Sequence, residues 1–348
     1  MAERGQGGLS AMEQPVTFVN RHGHRLFGML YAPDRPVAQR VGVLVSVNAI
    51  KNRVGTFRLH VLLARKFCEL GYYVLTFDPA GIGDSEGPFD NKLLSEHYYD
   101  IQTGKYSDDL ADAMNYFLAE ARIERMVLFG LCGGAISMQM SGASDPRVAG
   151  LMLLNLPVLV EDLKRQAQQD NAAKIVSSVS AKTLLKHKMQ RLTELDFWRR
   201  LMRFEVDLRE EARLVGRSLQ VLAKRVGTKV SSLASKRPGG QKDTMQPVSP
   251  HKQFNMHFQR AFLRSMELQQ KTLFMFAEHD PWTAIFNSEF RDRALAPGNP
   301  HEPHYTIEVI GAANHIFSSA ESQKELERRL SSWLQRHFPA NTAATAHA

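Results

Sequence analysis

What this chain has little of narrows it first. Two cysteines among 348 residues leave no disulfide framework, and isolated thiols suit a reducing compartment. Cys68 falls inside the apolar-periodic stretch HVLLARKFCELG, where burial is expected. No run approaches the ~20 apolar residues that a membrane span needs, and the opening MAERGQGGLSAMEQP lacks the apolar core of a secretory signal. Together these absences predict a cytoplasmic protein. There is no internal repeat. There is also no zinc-finger spacing, aromatic RNA-binding strand or heptad-backed basic region, so nucleic acid is not an expected partner. HEPH (301–304) sets His301 and His304 in a proline-rich loop without further ligands at metal-site spacing. No metal and no cofactor is expected.

Charge is present but uneven. The formal net charge is +8, yet residues 160–265 hold 22 Lys and Arg against 10 Asp and Glu, which leaves the remainder net negative. Such a segment can make peripheral contact with anionic membrane or an acidic partner; the plain alternative is a solvated helical face.

With 43% hydrophobic residues the chain can build one large α/β domain with an insertion, or two domains. Residues 1–14 read as a flexible leader. VTFVNRHGHRLFGMLYAP suggests two strands joined around His22-Gly23-His24. VGVLVSV (41–47) is a near-continuous β-branched run, the pattern of a strand buried on both faces. A helix over FRLHVLLARKFCEL stops at Gly71 and is followed by the strand YYVLTFD. Ser107 is expected to cap DDLADAMNYFLAEA, whose apolar stripe is Leu110, Met114, Phe117 and Leu118. MVLFGLC, GGAISMQMSGAS and VAGLMLLNLPV continue as strand, helix, strand. The rhythm then breaks. Residues 160–266 read as a helical, basic cap with a mobile loop near 226–250. Over 267–338 the alternation resumes with KTLFMFAEHD, AIFNSEFRDRAL, HYTIEVIG and AESQKELERRLSSWLQRHF; residues 339–348 read as a frayed tail. Strand–helix alternation implies a mostly parallel sheet covered by helices on both faces, with the insertion as a lid over the carboxyl ends of its strands, where open α/β sheets bind ligands.

The chemistry centres on FGLCGGAIS (129–137). Cys132 occupies the middle of Gly-x-Cys-x-Gly between a strand and a helix, the context of a nucleophile elbow. Gly130 and Gly134 remove side chains that would collide in so tight a turn. A thiol at a helix N-terminus is favoured as thiolate. The alternative is a glycine-rich turn around an inert buried cysteine. A thiol nucleophile needs a base and the base an orienting group. FAEHDPW places Asp280 just past a strand, and VIGAANHIFSS places His315 just past the last one, in the order nucleophile, acid, histidine. Alone, Asp280 could be a helix N-cap and His315 a loop histidine. His279 stands beside the acid and is expected to face away. The oxyanion donors are expected to be the N–H of Gly133 and that of Ala49 or Ile50 in VNAIKN. FDPAGIGDSEG (77–87) lacks the spacing of a phosphate loop and reads as a structural turn near the active-site mouth.

These residues resemble the α/β-hydrolase superfamily across roughly residues 16–338. DPAGIGDSEG is similar to its Asp-x-x-Gly-x-Gly-x-Ser-x-Gly loop, with Ala80 where Arg is usual. More narrowly, RVGTFRLHVLLARKFCELGYYVLTFD, GLCGGA, DPRVAGLMLLN, DFWRRLMRFEVDLR and GAANHIFS resemble the exosortase-A-associated hydrolases found with bacterial exopolysaccharide and protein-sorting genes, with Asn48-Ala49 where that family tends to have Gly-Gly. The resemblance implies a hydrolase of undefined substrate. Together the motifs lead to the expectation of a Cys-His-Asp enzyme that cleaves a small-molecule ester or thioester. Two alternatives stand beside it: acyl transfer, since Gly-x-Cys-x-Gly-Gly also resembles the elbow of polyhydroxyalkanoate synthases, and a non-catalytic protein docking through its basic segment. Oligomeric state is not readable from the sequence.

Overall fold

The computed structural model describes residues 12–36, 40–46, 51–88, 94–161, 252–295 and 298–339. The basic segment expected as a cap, its loop near 226–250, the leader and the tail lie outside or almost wholly outside these. Residues 1–161 and 253–348 form one compact unit. It is the expected mostly parallel α/β sheet.

Eight strands pair in the order β1-β2-β4-β3-β5-β6-β9-β10. They are β1 (Met12–Val19), β2 (Arg25–Ala32), β3 (Val41–Ser46), β4 (Tyr73–Phe77), β5 (Arg125–Leu131), β6 (Val148–Leu154), β9 (Lys271–Ala277) and β10 (Tyr305–Ile310). β1 and β2 are antiparallel to their neighbours, and every other pairing in this sheet is parallel. β7 (Leu159–Glu161) and β8 (Lys252–Phe254) form a separate two-stranded sheet. The helices of six residues or more among the described residues are α1 (Leu59–Glu69), α2 (Leu94–Gln102), α3 (Ser107–Ala121), α4 (Gly133–Gly142), α5 (Met256–Glu267), α6 (Pro281–Phe286) and α7 (Ala320–His337).

The central strands read as continuous apolar runs because both of their faces are buried. Along β5, Met126 and Leu128 enter one core with α3, α4 and α5. Val127 and Phe129 enter the other, with α1 and α7. This period of two, with apolar residues on both phases, is what parallel strands under two helical layers require. The strand order reverses between β3 and β5, and α/β sheets hold ligands in the crevice at that switch point. Cys132 follows β5 directly.

Two boundaries differ from the sequence pattern. Ser107 is the first residue of α3, not its cap. The capping position is Tyr106, which makes no side-chain cap bond. Of the two aspartates in the first turn, Asp109 is buried and accepts from Asn20 Nδ2 (2.6 Å) and Ala80 N (2.8 Å), so it joins the hairpin and the β4 loop to the helix. The compact unit resumes at Gln253, a helix earlier than a boundary at 266, because α5 buries Phe258, Phe262 and Met266 in the core and is capped by Asn255.

Phe262 lies within ring-contact distance of Phe258, Phe274, Phe290 and Tyr305 and is 2% exposed. Truncation there leaves a cavity that fixed rings on several sides cannot fill. Phe262→Ala is expected to lower stability by about 3–5 kcal/mol, read as a fall in the urea midpoint. A midpoint equal to that of the unmodified chain would refute this packing.

Candidate active site

The turn after β5 is built around a strained residue. Cys132 has φ 55° and ψ −118°, a region L-residues rarely occupy, and it forms the N-cap of α4. Its N–H donates to Leu154 O at 2.8 Å, and its carbonyl accepts from Ala135 N at 3.0 Å. A side chain on Gly130 would put its Cβ 2.5 Å from the carbonyl of Gly134 and 2.6 Å from Ala135 N. Strand and helix can therefore approach this closely only with glycine at 130. The Gly133 N–H, first in α4, has no intrahelical acceptor and lies at the positive end of the helix.

Asp280 and His315 meet beside this turn. Asp280 caps α6: its Oδ1 accepts from Trp282 N at 3.1 Å, while its Oδ2 stands 2.6 Å from His315 Nδ1. The N-cap and charge-partner readings of Asp280 are thus both satisfied, one by each oxygen. The carboxyl is buried, and the His315 ring is about one-third exposed. The Cys132 thiol also acts on this ring and raises its affinity for a proton. Burial works against an imidazolium, but hydrogen bonds to Asp280 and Cys132 and the charges on both outweigh it and raise His315 to about 10. His279 is exposed and donates its backbone N–H to Ala313 O at 2.9 Å. His60 is buried against Phe129, and burial pushes it down to about 4, so it is a neutral core histidine. Burial pushes the Cys68 thiol up to about 12, as a packing cysteine requires.

Three connections hold the strand ends together. Asn155, fully buried just past β6, donates Nδ2 to His315 O (2.9 Å) and accepts from Ala277 N through Oδ1 (2.8 Å). Glu278 accepts from Ala312 N at 2.7 Å, which joins the loops that follow β9 and β10. Asp78, fully buried in FDPAGIGDSEG, accepts from Arg53 N at 2.5 Å and pairs with the Arg53 guanidinium. This carboxylate is why the loop behaves as a structural turn. Ala49 and Ile50, the expected second oxyanion donors, lie outside the described residues. Among the described residues no three His, Cys, Asp or Glu side chains gather as a metal site, and no helix is long and apolar enough to cross a membrane.

A parallel sheet with its order reversing at β3 and β5, and a strained residue on the turn after β5, define a class of fold. Residues 52–318 match the alpha/beta hydrolase fold family, and the chain belongs to it. An uncharacterised protein of Pseudomonas aeruginosa is 30% identical over 142 residues, which are 39% of this chain and 35% of that protein. The chain therefore matches only about a third of that relative's length. Among solved structures, an esterase from Pyrococcus furiosus is similar at 11% identity, with 97% of each chain covered and a TM-score of 0.53. A proline iminopeptidase from Mycobacterium smegmatis is similar at 16% identity over 93% of this chain and 98% of that one, with a TM-score of 0.50. At these identities the likeness is one of fold.

The raised His315 sets a pH signature. The folded imidazole holds its proton more tightly than an unfolded one of 6.5, so its contribution to stability is full below about pH 6.5 and is lost as pH rises through about 10. Asp280→Asn keeps the cap on Trp282 N but removes the charge. By NMR, His315 is expected to titrate near 10 in the unmodified chain and clearly lower in this variant. Coincident midpoints would mean that Asp280 does not set the state of the ring.

Proposed function

We propose that this chain is a hydrolase of carboxylic esters or thioesters that works through Cys132, His315 and Asp280. The observation that carries this reading is an imidazole 2.6 Å from a buried carboxylate, together with a thiol held on a strained strand–helix turn.

In the reaction Cys132 Sγ bonds to the substrate carbonyl carbon, and the carbonyl π pair moves onto oxygen. The Gly133 N–H, with a second amide from Ala49 or Ile50, receives that oxyanion. The tetrahedral adduct collapses, the bond to the leaving alkoxide or thiolate breaks, and His315 hands it a proton. Water then gives a proton to His315 and attacks the acyl-thioester carbon; Cys132 departs as thiolate and the free acid is released. Asp280 keeps Nδ1 of His315 occupied, so that Nε2 serves the thiol and the water. The stretch DFWRRLMRFEVDLR, similar to exosortase-A-associated hydrolases, sets the narrower family expectation and leaves the acyl group open.

Cys132→Ala is expected to lose about 10³-fold or more of kcat/KM on p-nitrophenyl butyrate. Mapping of an iodoacetamide adduct should place the label on Cys132 and leave Cys68 unmodified. Full turnover by the variant, or labelling at Cys68 alone, would end the proposal. The same assay with a butyryl-coenzyme A donor and an alcohol acceptor distinguishes hydrolysis, which yields free acid, from acyl transfer, which yields the new ester.

A further inference from the structure

The loop between β3 and α1 carries strain and charge that the triad does not use. Phe57 (φ 53°, ψ 28°) and Arg58 (φ 59°, ψ 22°) are both left-handed, the only consecutive non-glycine pair so placed among the described residues. A bulky side chain in that region is costly and persists only where its surroundings hold it. Here both flanks are held. Lys51 Nζ donates to Thr56 Oγ1, Gly55 N donates to Asn52 O at 3.0 Å, and Arg53 is paired with Asp78 and Asp84. After the turn, Leu59 and His60 are buried. Phe57 itself is 55% exposed, the one exposed phenylalanine among the described residues, and its ring meets no other ring and joins neither core. The fold bears the strain of this residue without packing its side chain.

The place of this loop is fixed against the nucleophile turn. Ser46, the last residue of β3, pairs with Gly130 of β5, so the chain leaves β3 beside the elbow. The His60 ring meets Phe129 of β5 at 6.0 Å and 81°, and a Cβ on Gly55 would come within 2.9 Å of the same ring. From that contact, three residues forward along β5 reach Cys132, and three residues back along the chain reach Phe57. Both runs lead to the carboxyl edge of the sheet. The chain outside residues 160–265 is net negative, yet KNRVGTFR (51–58) holds three cations and no acid. Arg53 is taken up by its two aspartates, whereas among the described residues Lys51 and Arg58 have no carboxylate partner.

We infer that this loop is the subsite for a negatively charged group on the substrate, with Lys51 and Arg58 taking the charge and Phe57 lying against the apolar stretch that joins it to the reacting carbonyl. The inference rests on the proposed acyl chemistry and narrows it to anionic acyl compounds. The charge sits either on the leaving half, as phosphate, or on the acyl half, as carboxylate, and the same two cations serve both. Unpaired cations in an otherwise net negative stretch of chain concentrate an oppositely charged substrate at this edge. The left-handed backbone keeps the Phe57 ring in water, and substrate that covers it removes apolar surface from solvent.

The test uses the full chain and three thioesters of one acyl length: hexanoyl-coenzyme A, with phosphate on the leaving half; mono-S-ethyl thioadipate, with a carboxylate on the acyl half; and neutral S-ethyl thiohexanoate. The quantity read is the ratio of kcat/KM for each charged thioester to that for the neutral one, which does not depend on how much of a variant folds. One charged thioester is expected to be favoured about tenfold, which identifies the half that carries the charge, and the preference should shrink as salt is raised. Lys51→Gln combined with Arg58→Gln is expected to bring that ratio close to one. Phe57→Gly is expected to lose about tenfold on the favoured thioester, with the loss falling on KM and not on kcat. Its urea midpoint should hold or rise, because glycine is at ease at a left-handed position. A neutral thioester handled as well as both charged ones would overturn the inference. So would a preference that survives in the double variant, since other cations would then supply it. A lowered urea midpoint in Phe57→Gly with KM unchanged would also overturn it, since the ring would then serve the fold alone. Cys132→Ala on the neutral thioester is the separate control. Retained turnover there ends the acyl-thioester reading and this inference with it, whereas lost turnover there with an unchanged ratio in the double variant removes the inference alone.

Discussion

A cysteine at φ 55° and ψ −118° does not stay there on its own account. A backbone in that region costs of order 1–3 kcal/mol and persists only where its surroundings over-determine it. Here the surroundings are specific. Cys132 N is bonded to the end of β6 through Leu154 O, and its carbonyl starts the first turn of α4. Gly130 lets the helix sit against the strand with no side chain between them. The thiol is thereby lifted to the carboxyl edge of the sheet at the positive end of a helix, and the geometry of His315 and Asp280 is meaningful only because that point is fixed.

The remaining groups are held in the same manner, by side chains that bond to backbone across strand ends. Asn155 adopts a left-handed conformation, φ 45°, just after β6. From there one amide holds both the carbonyl of His315 and the N–H of Ala277, the residue that closes β9. Glu278 binds the loop that leads to His315. A carboxyl–imidazole distance of 2.6 Å between residues 35 apart in sequence is therefore set by backbone connections and not by the two side chains alone. Asp78 and Arg53 repeat the device on the other side of β5. A fully buried carboxylate with only one partner removed would be left uncompensated, which gives this pair its structural weight.

Strands and principal groups were legible in the sequence for a physical reason. β3, β5 and β6 lie under helices on both faces, so burial writes them as unbroken apolar runs bounded by glycine or a polar residue. Asp280 and His315 were legible because each follows such a run in the required order. The supporting residues were not. Asn155 interrupts LMLLNLPV as a single polar letter, and a buried amide at a strand end is the only signal it offers. Asp78 opens DPAGIGDSEG, but its partner Arg53 stands 25 residues earlier with no periodic relation to it. Ser107 misled because a hydroxyl before two aspartates is a good local cap, yet the helix starts one residue earlier in register with the chain arriving from α2.

The described bonds that assemble the site all join residues of one compact unit, 1–161 with 253–348. Among the described residues, thiol, imidazole and carboxylate are thus positioned by the sheet and its loops. The two kinds of chain also differ in charge, since the excess of Lys and Arg belongs to that segment and the rest is net negative. The strained cysteine, the imidazole–carboxylate pair and the excess of positive charge are therefore carried by separate stretches of sequence.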